Sequence, residues 1–474
     1  MDLFGRRVIY TSEEVIDASN VVAVLEAALA THSLNSTEVT YLYDYYKGKQ
    51  PILEREKEIR PEINEKMVVN KANAIVDFKV GYLLGEPLQY VCRSGDDKVS
   101  AAIKRLNEYV FAEDKAAKDE ELARWFSICG TSYRMVLPDA DGTKDESPFE
   151  IFVLDPRCTF VVYSTGLGNK PVMGVTYVQR GDQIVYSVYT DRKYFEIVAT
   201  GDAFAITRET GHILGEVPIV EYPCNDARLG EFEKVIGLLD CLNLTESDRV
   251  NAVEGFVQAL MVFKGVDIED PDYANLRQEG AIKVPVDGDI KYLVQELNQS
   301  QSQTQVDDLY QNILSIVGMP SMSDGSTSDS SNNGAVILKN GWELAEARAK
   351  AVEKIFDKSE KRFLRIVLRI TNTLRDMNLR LADIDIRFTR RNYENIQTKA
   401  QVLTTMLASG KIHPRLAFAS CGLFADPESA YLESERYVAE QERKQEEELA
   451  AVTSAPARRA DEAADTEPDE ETLL

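Results

Sequence analysis

Apolar positions along this chain change their spacing twice, from steps of three and four to steps of two and back again. Up to about Arg93 the spacing is helical. One amphipathic stretch opens at Ser12-Glu13-Glu14 and a second at Ser36-Thr37-Glu38, with capping-type chemistry at its start. A third runs from about Glu65 to Leu84 and stops at Gly85-Glu86-Pro87. Two shorter helices fill Val99 to Ile128 and end at Gly130.

From Ser132 to Tyr222 the period is two. Short β-branched and aromatic runs begin at Tyr133, Phe149, Phe160, Gly174 and Ile184, with turns at Asp141-Gly142, Gly166, Gly181-Asp182 and Gly201-Asp202. An antiparallel β-rich module is predicted.

Helical spacing returns from Glu231 to Phe263, where Leu239, Leu242, Val250, Val253, Val257 and Leu260 form one apolar stripe. A β-like insertion follows, with Ile282–Val286 and Ile290–Val294 on either side of Asp287-Gly288. A helix is expected from Thr304 to Val317, then a Ser/Asp/Gly/Asn-rich loop from Gly318 to Gly334. The longest periodic segment, Leu338 to Met377, would make a helix roughly 60 Å long. One chain offers few partners for such a helix, so packing against neighbouring subunits is expected. Asp383 to Phe388 reads as a strand, two or three helices lie between Asn395 and about Val452, and the Ala/Pro/Asp/Glu-rich remainder is predicted to be disordered. The fold class is α+β.

Composition narrows the chemistry. The 474 residues carry a net charge of −25, which excludes the basic footprint of a tight, sequence-specific DNA binder. For a protein that DNA slides past, weak attraction is an advantage, because each firm phosphate contact brakes the movement. The six cysteines lie far apart with no CxxC pair, which suits a reducing cytoplasm and neither a zinc site nor a disulfide framework. No apolar h-region marks the N-terminus, and no stretch is long enough to span a membrane.

No catalytic or metal site is expected, and no cofactor. A GxxxxGK[ST] phosphate loop is missing, and the three histidines, His32, His212 and His413, form neither HExxH nor a cluster. On a strand Asp383 and Asp385 would share a face, as a two-metal nuclease needs, but Arg387, Arg390 and Arg391 offer salt bridges instead. The loop from Gly318 to Gly334 contains no Lys or Arg and carries Asp324 and Asp329, which disfavours phosphate binding.

Four stretches, in order, carry a resemblance. Tyr45-Tyr46-Lys47-Gly48 leads to Asn70–Asp77 and Gly81–Pro87. Gly215–Tyr222 leads to Gly230–Glu233, Leu239–Asn243 and Ser247. Gly318-Met319-Pro320 leads to Asn333-Gly334-Ala335, with Asn333 standing where serine is expected. Ile386–Asn392 leads to Gly410–His413 and the acidic helix after Asp426-Pro427-Glu428. Together they span about Tyr41 to Glu442, and the chain resembles the portal proteins of long-tailed phages of Gram-positive hosts.

The resemblance implies a portal fold and a ring of about twelve subunits around a channel for double-stranded DNA. It implies a wing (1–230, with a β-rich module at 132–222), a stem helix (231–263), a small α/β clip (264–299) and a second stem helix (300–317). A tunnel loop (318–334), a long wing helix and strand (335–392), crown helices (393–452) and a disordered acidic tail (453–474) complete it. Tunnel-loop candidates toward DNA are Met319, Ser321, Met322, Ser323, Asp324, Ser326, Thr327, Asp329, Asn332 and Asn333. Clip candidates toward partners are Lys283, Asp287, Asp289 and Lys291. Implied partners are further copies of the chain, the terminase large subunit, head-completion and adaptor proteins, and the major capsid and scaffolding proteins. No membrane is among them. The expected place is the portal vertex of the virion, after synthesis in the host cytoplasm. A minor capsid or scaffolding protein is the structural alternative, and a metal-dependent nuclease the enzymatic one.

Overall fold

The computed structural model describes residues 5–58, 60–93, 96–139, 146–201, 203–257, 260–264, 289–293, 299–321, 341–389, 396–424 and 427–453. They fall into two compact units, Met1–Asn392 and Tyr393–Leu474.

In the first unit, β1 (Ile9–Thr11) precedes a single helix, α1 (Val21–Tyr46). The predicted helix starts at Ser12 and Ser36 are therefore corrected. Ser12 ends a strand region, and Ser36 is mid-helix, its hydroxyl donating to Arg157 O at 2.9 Å. A cap sequence inside a helix is satisfied by tertiary partners rather than by starting a new one. α2 (Lys71–Leu84) begins six residues after the expected Glu65, because Asn70 takes the capping role, its side chain accepting from Asn73 N–H. β2 (Gln89–Cys92), α3 (Asp97–Ala112) and α4 (Lys115–Cys129) follow. Gly130 closes α4 with φ +81°, and a Cβ there would lie 1.9 Å from Arg228 O, so only glycine fits this turn.

The period-two region forms β3 (Thr131–Pro138), β4 (Phe149–Leu154), β5 (Thr159–Ser164), β6 (Pro171–Arg180), β7 (Gln183–Tyr189), β8 (Lys193–Thr200), β9 (Ala203–Gly211) and β10 (Ile219–Pro223). They make two sheets. One runs β1-β5-β6-β7-β8-β9, antiparallel except for β1 beside β5, and the other runs β10-β3-β4. Val21, Leu25 and Ala28 of α1 pack on the larger sheet with Phe160, Val175 and Phe195. Tyr133, Met135, Val161 and Ile219 fill the space between the sheets.

α5 (Ile236–Val257) ends six residues before the expected Phe263. Leu260–Lys264 is a strand, β11, paired antiparallel with β12 (Asp289–Leu293). β-branched and aromatic residues in Leu-Met-Val-Phe favour a paired strand over another helical turn. The strand expected at Ile290–Val294 is β12; its expected partner, Ile282–Val286, lies outside the described residues. α6 (Gln299–Val317) starts five residues earlier than expected, and α7 (Trp342–Arg375) is the longest helix, about 50 Å.

α7 does not depend on neighbouring subunits for its C-terminal half. Phe356, Phe363, Leu364, Val367 and Ile370 are buried in the main core with Val136, Phe126 and Tyr222. Inside that contact lies a buried ionic cluster of Lys115, Asp119, Arg134 and Glu360. Glu360 accepts from Lys115 Nζ (2.9 Å), Arg134 (3.0 Å), Tyr222 OH (2.7 Å) and Tyr90 OH (2.5 Å). Burial works to raise its pKa, but the charges of Lys115 and Arg134 outweigh that and hold the carboxyl down to about 2.

Asp383 is not on a strand. It ends the 3-10 turn Leu381–Asp383 and accepts from Arg380, whereas Asp385 lies on β13 (Ile384–Arg387) and pairs with Arg387 at 3.1 Å. The two carboxylates therefore have separate arginine partners rather than a common ion. Among the described residues no group of three His, Cys, Asp or Glu side chains could hold a metal, and no helix is long and apolar enough to cross a membrane.

The second unit holds α8 (Ile396–Ala408), α9 (Pro414–Cys421) and α10 (Pro427–Thr453), three helices within the range expected. Phe418 of α9 stacks on Phe424 and meets Tyr431 of α10, and Arg415 pairs with Glu428 at 2.7 Å.

Candidate functional site

The serine-rich segment after α6 leaves and returns at one place. α6 ends in a Schellman turn. Met319 N–H reaches back to Leu314 O (2.9 Å) and Gly318 N–H to Ser315 O (3.3 Å), with Gly318 at φ +67°. A Cβ on Gly318 would lie 2.4 Å from Arg348 Cδ of α7, so the exit is pressed against that helix. On the return side Gly341 caps α7 at φ +80°, and a Cβ there would be 3.8 Å from Pro320 Cα. The chain thus departs after Pro320 and re-enters at Gly341 with its two ends in contact.

The mount beneath these ends is aromatic and charged. Trp342 packs on Phe78 and Tyr82 of α2 with ring centroids 6.1 and 5.8 Å apart, and Tyr82 OH donates to Glu346 at 2.9 Å. Lys71 lies over the Tyr310 ring at 4.2 Å, tying α2 to α6. Behind Trp342, Lys79 pairs with Glu231 at 3.6 Å, and burial pushes its ammonium pKa below the ordinary value. Three elements, α2, α6 and α7, are thereby held at fixed spacing at the base of the excursion.

α5 is held by an unexpected device. Asn243, Ser247 and Asn251 repeat every four residues along it and are all buried. They accept from the backbone N–H groups of Val69 (2.8 Å), Met67 (2.9 Å) and Glu65 (2.7 Å). Four helical residues rise about 6 Å, and two extended residues advance about 6.6 Å, so the polar ladder stays in step with alternate amides. Asn243 also donates to Gln50 Oε1 at 2.5 Å. The predicted apolar stripe is therefore split. Leu239 and Leu242 are buried, while Leu244, Val250 and Val253 are exposed. The physical reason is that the extended segment supplies amides needing acceptors, and Asn and Ser can provide them where Val cannot.

Of the tunnel-loop candidates, Met319 and Ser321 are described; Met319 packs partly buried against the main core. Met322, Ser323, Asp324, Ser326, Thr327, Asp329, Asn332 and Asn333 lie outside the described residues, as do Lys283 and Asp287. Asp289 and Lys291 are on β12, opposite Lys264 and Val262 of β11. The residues missed from the sequence are Arg348, Trp342 and the α5 ladder. The ladder had a signal in the chain, the four-residue repeat Asn243-Ser247-Asn251.

Comparison with known proteins gives a family match and several relatives. Residues 26–448 match the family model described as phage portal protein, SPP1 Gp6-like. The portal protein of Bacillus phage SPP1 is 23% identical over 385 residues, covering 74% of this chain and 72% of that one. Among solved structures, a chain in the neck of an empty gene transfer agent (GTA) particle aligns with TM-score 0.45 and 15% identity, over 74% of this chain and 90% of that chain. One in the neck of a native GTA particle, computed with C12 symmetry, gives 0.43 and 14%, over 78% and 94%.

Proposed function

The chain belongs to the SPP1 Gp6-like family of phage portal proteins, and from that premise we propose how its parts serve a ring-shaped DNA channel at one vertex of the capsid. A portal protein is a structural component of the virion and not an enzyme. About twelve copies form a closed ring by repeated head-to-tail contacts. α5 and α6 are the stem around the channel. The segment 264–299, which holds β12 and the last residue of β11, is the clip, which meets the terminase large subunit during packaging and adaptor proteins afterwards. The sheets, α1–α4 and α7 make the wing, and the helices of 393–452 the crown, toward the capsid and scaffolding proteins.

One observation carries the reading of 318–334 as the tunnel loop. The chain is held on both sides of this segment at the junction of α6 and α7, by the turn at Gly318 and by Gly341 beside Pro320. In this reading each subunit presents Asp324 and Asp329 to the channel, and the absence of Lys and Arg from the loop keeps double-stranded DNA from sticking. The exposed Val250 and Val253, three residues apart on one side of α5, support stem-to-stem packing between copies.

The test is a double replacement, Asp324→Lys with Asp329→Lys. Rings should still assemble, while packaging and ejection slow, and the defect should ease as salt rises through weakened phosphate pairing. Packaging at the wild-type rate at every salt concentration would remove this loop from the DNA path.

A further inference from the structure

α7 carries a basic ridge with no part in the channel itself. Lys354, Lys358, Arg362, Arg365 and Arg369 follow one another at steps of four, four, three and four along one side of the helix. In a chain of net charge −25 this concentration of one sign stands out. Among the described residues the first four make no ion pair, and Arg369 donates to Leu214 O at 2.9 Å. Arg362 and Arg365 face a cleft of about 910 Å³ between α7 and the end of the larger sheet. A second cavity of about 320 Å³ continues along Lys354, Lys358 and Arg362. Two exposed apolar side chains line the first, Leu167, fully exposed, and Val15, 72% exposed, among the charges of Glu14, Lys170, Asp191, Arg192 and Glu216.

A complementary shape lies toward the far edge of the three-stranded sheet. Phe111, at the corner between α3 and α4, is 83% exposed, the most exposed phenylalanine among the described residues. Glu108 and Asp114, three residues before and after it, are acids at the same corner. The two surfaces sit at opposite edges. Glu113 of the corner accepts from Ile151 N–H on β4, one outer strand, at 3.0 Å. Ser359 of α7 donates to Glu221 O on β10, the other outer strand, at 2.8 Å.

We propose that the Phe111 corner of one copy seats in the Leu167–Arg362 cleft of the next, with Glu108 and Asp114 against the basic ridge. Complementary patches at opposite edges of one sheet cannot satisfy each other within a chain. They pair head to tail, the kind of contact that closes a ring. Duplex DNA is the poorer occupant, because it offers no apolar group to the exposed Leu167 and Val15 beside the cleft. The inference rests on the ring reading above and supplies a wing contact for it.

The test reverses charge on each side in the full-length chain. Arg362→Glu with Arg365→Glu, and separately Glu108→Arg with Asp114→Arg, should each raise the concentration for half-assembly at least tenfold by light scattering. Combining the four changes should restore assembly, which a folding defect could not do. Phe111→Cys with Leu167→Cys should be joined by a short bis-maleimide into a ladder of linked subunits, with the wild type as control for its own cysteines. Rings that form without a 111–167 link, or reversals without effect, overturn this contact and leave the ring reading standing. A wild-type chain that stays monomeric and unlinked overturns both. Binding of a 30-base-pair duplex, lost in the arginine reversal while rings persist, would assign the ridge to DNA and overturn the copy-to-copy contact.

Discussion

Replacing Glu360 by glutamine should be among the most damaging isosteric changes in this protein. Its carboxylate is fully buried and serves four donors, Lys115, Arg134, Tyr90 and Tyr222. The buried cluster holds two cations and, with Asp119, two anions, so it is neutral as it stands. The substituted amide would leave one uncompensated positive charge and turn an N–H₂ group toward a cation that can only donate. Breaking one side of a buried ion pair costs about 3–5 kcal/mol. The depressed pKa points the same way, because Lys115 and Arg134 favour the charged carboxylate despite its burial. A loss of that size is a large part of the roughly 5–15 kcal/mol that holds a typical domain together.

The assay is urea unfolding of wild type and Glu360→Gln at pH 7, repeated down to pH 3. Because the folded pKa is depressed, the stabilisation is present above pH 4.5 and is lost as pH falls toward 2. The gap between the two proteins should therefore narrow in that window. Replacing all four charged residues together, by Met at Lys115 and Arg134 and Leu at Asp119 and Glu360, should cost much less than Glu360→Gln alone. A single-variant loss below about 1 kcal/mol, or a gap independent of pH, would refute the account.

Three more outcomes are expected. Ser247→Ala removes the buried acceptor of the Met67 N–H and should lower stability by about 1 kcal/mol, with faster hydrogen exchange at that amide than in a Thr245→Ala control. Gly318→Ala should cost more in thermal midpoint than Gly181→Ala, since both have positive φ (+67° and +61°) but only the first meets Arg348; equal costs would mean that Arg348 moves aside freely. His32 is held neutral by burial, its pKa lowered to about 4, so wild-type stability should fall as pH drops from 6.5 to 4 while the unfolded chain takes up the proton. His32→Gln should flatten that part of the pH profile in the same urea assay.

Local chemistry alone was enough for the broad alternation of helical and strand regions. Period two in Ser132–Tyr222 and period near 3.6 in most of the rest reflect which faces are wet, and Gly130, at φ +81°, ends α4 in a backbone conformation that favours glycine before any tertiary contact is counted. The absence of basic residues from the 318–334 loop was likewise written in the chain. Other features required the fold. Ser36 looked like a helix start, yet α1 runs through it because Arg157, more than a hundred residues away, supplies its partner. Asn243, Ser247 and Asn251 are buried because an extended segment from 65 to 69 brings amides that only polar side chains can satisfy. Asp383 and Asp385 looked like one acidic face until a 3-10 turn gave each its own arginine. In each case periodicity records how polar a side chain is but not what it will meet. Distant segments decide whether a polar group faces water or a buried donor, and that decision belongs to the tertiary structure.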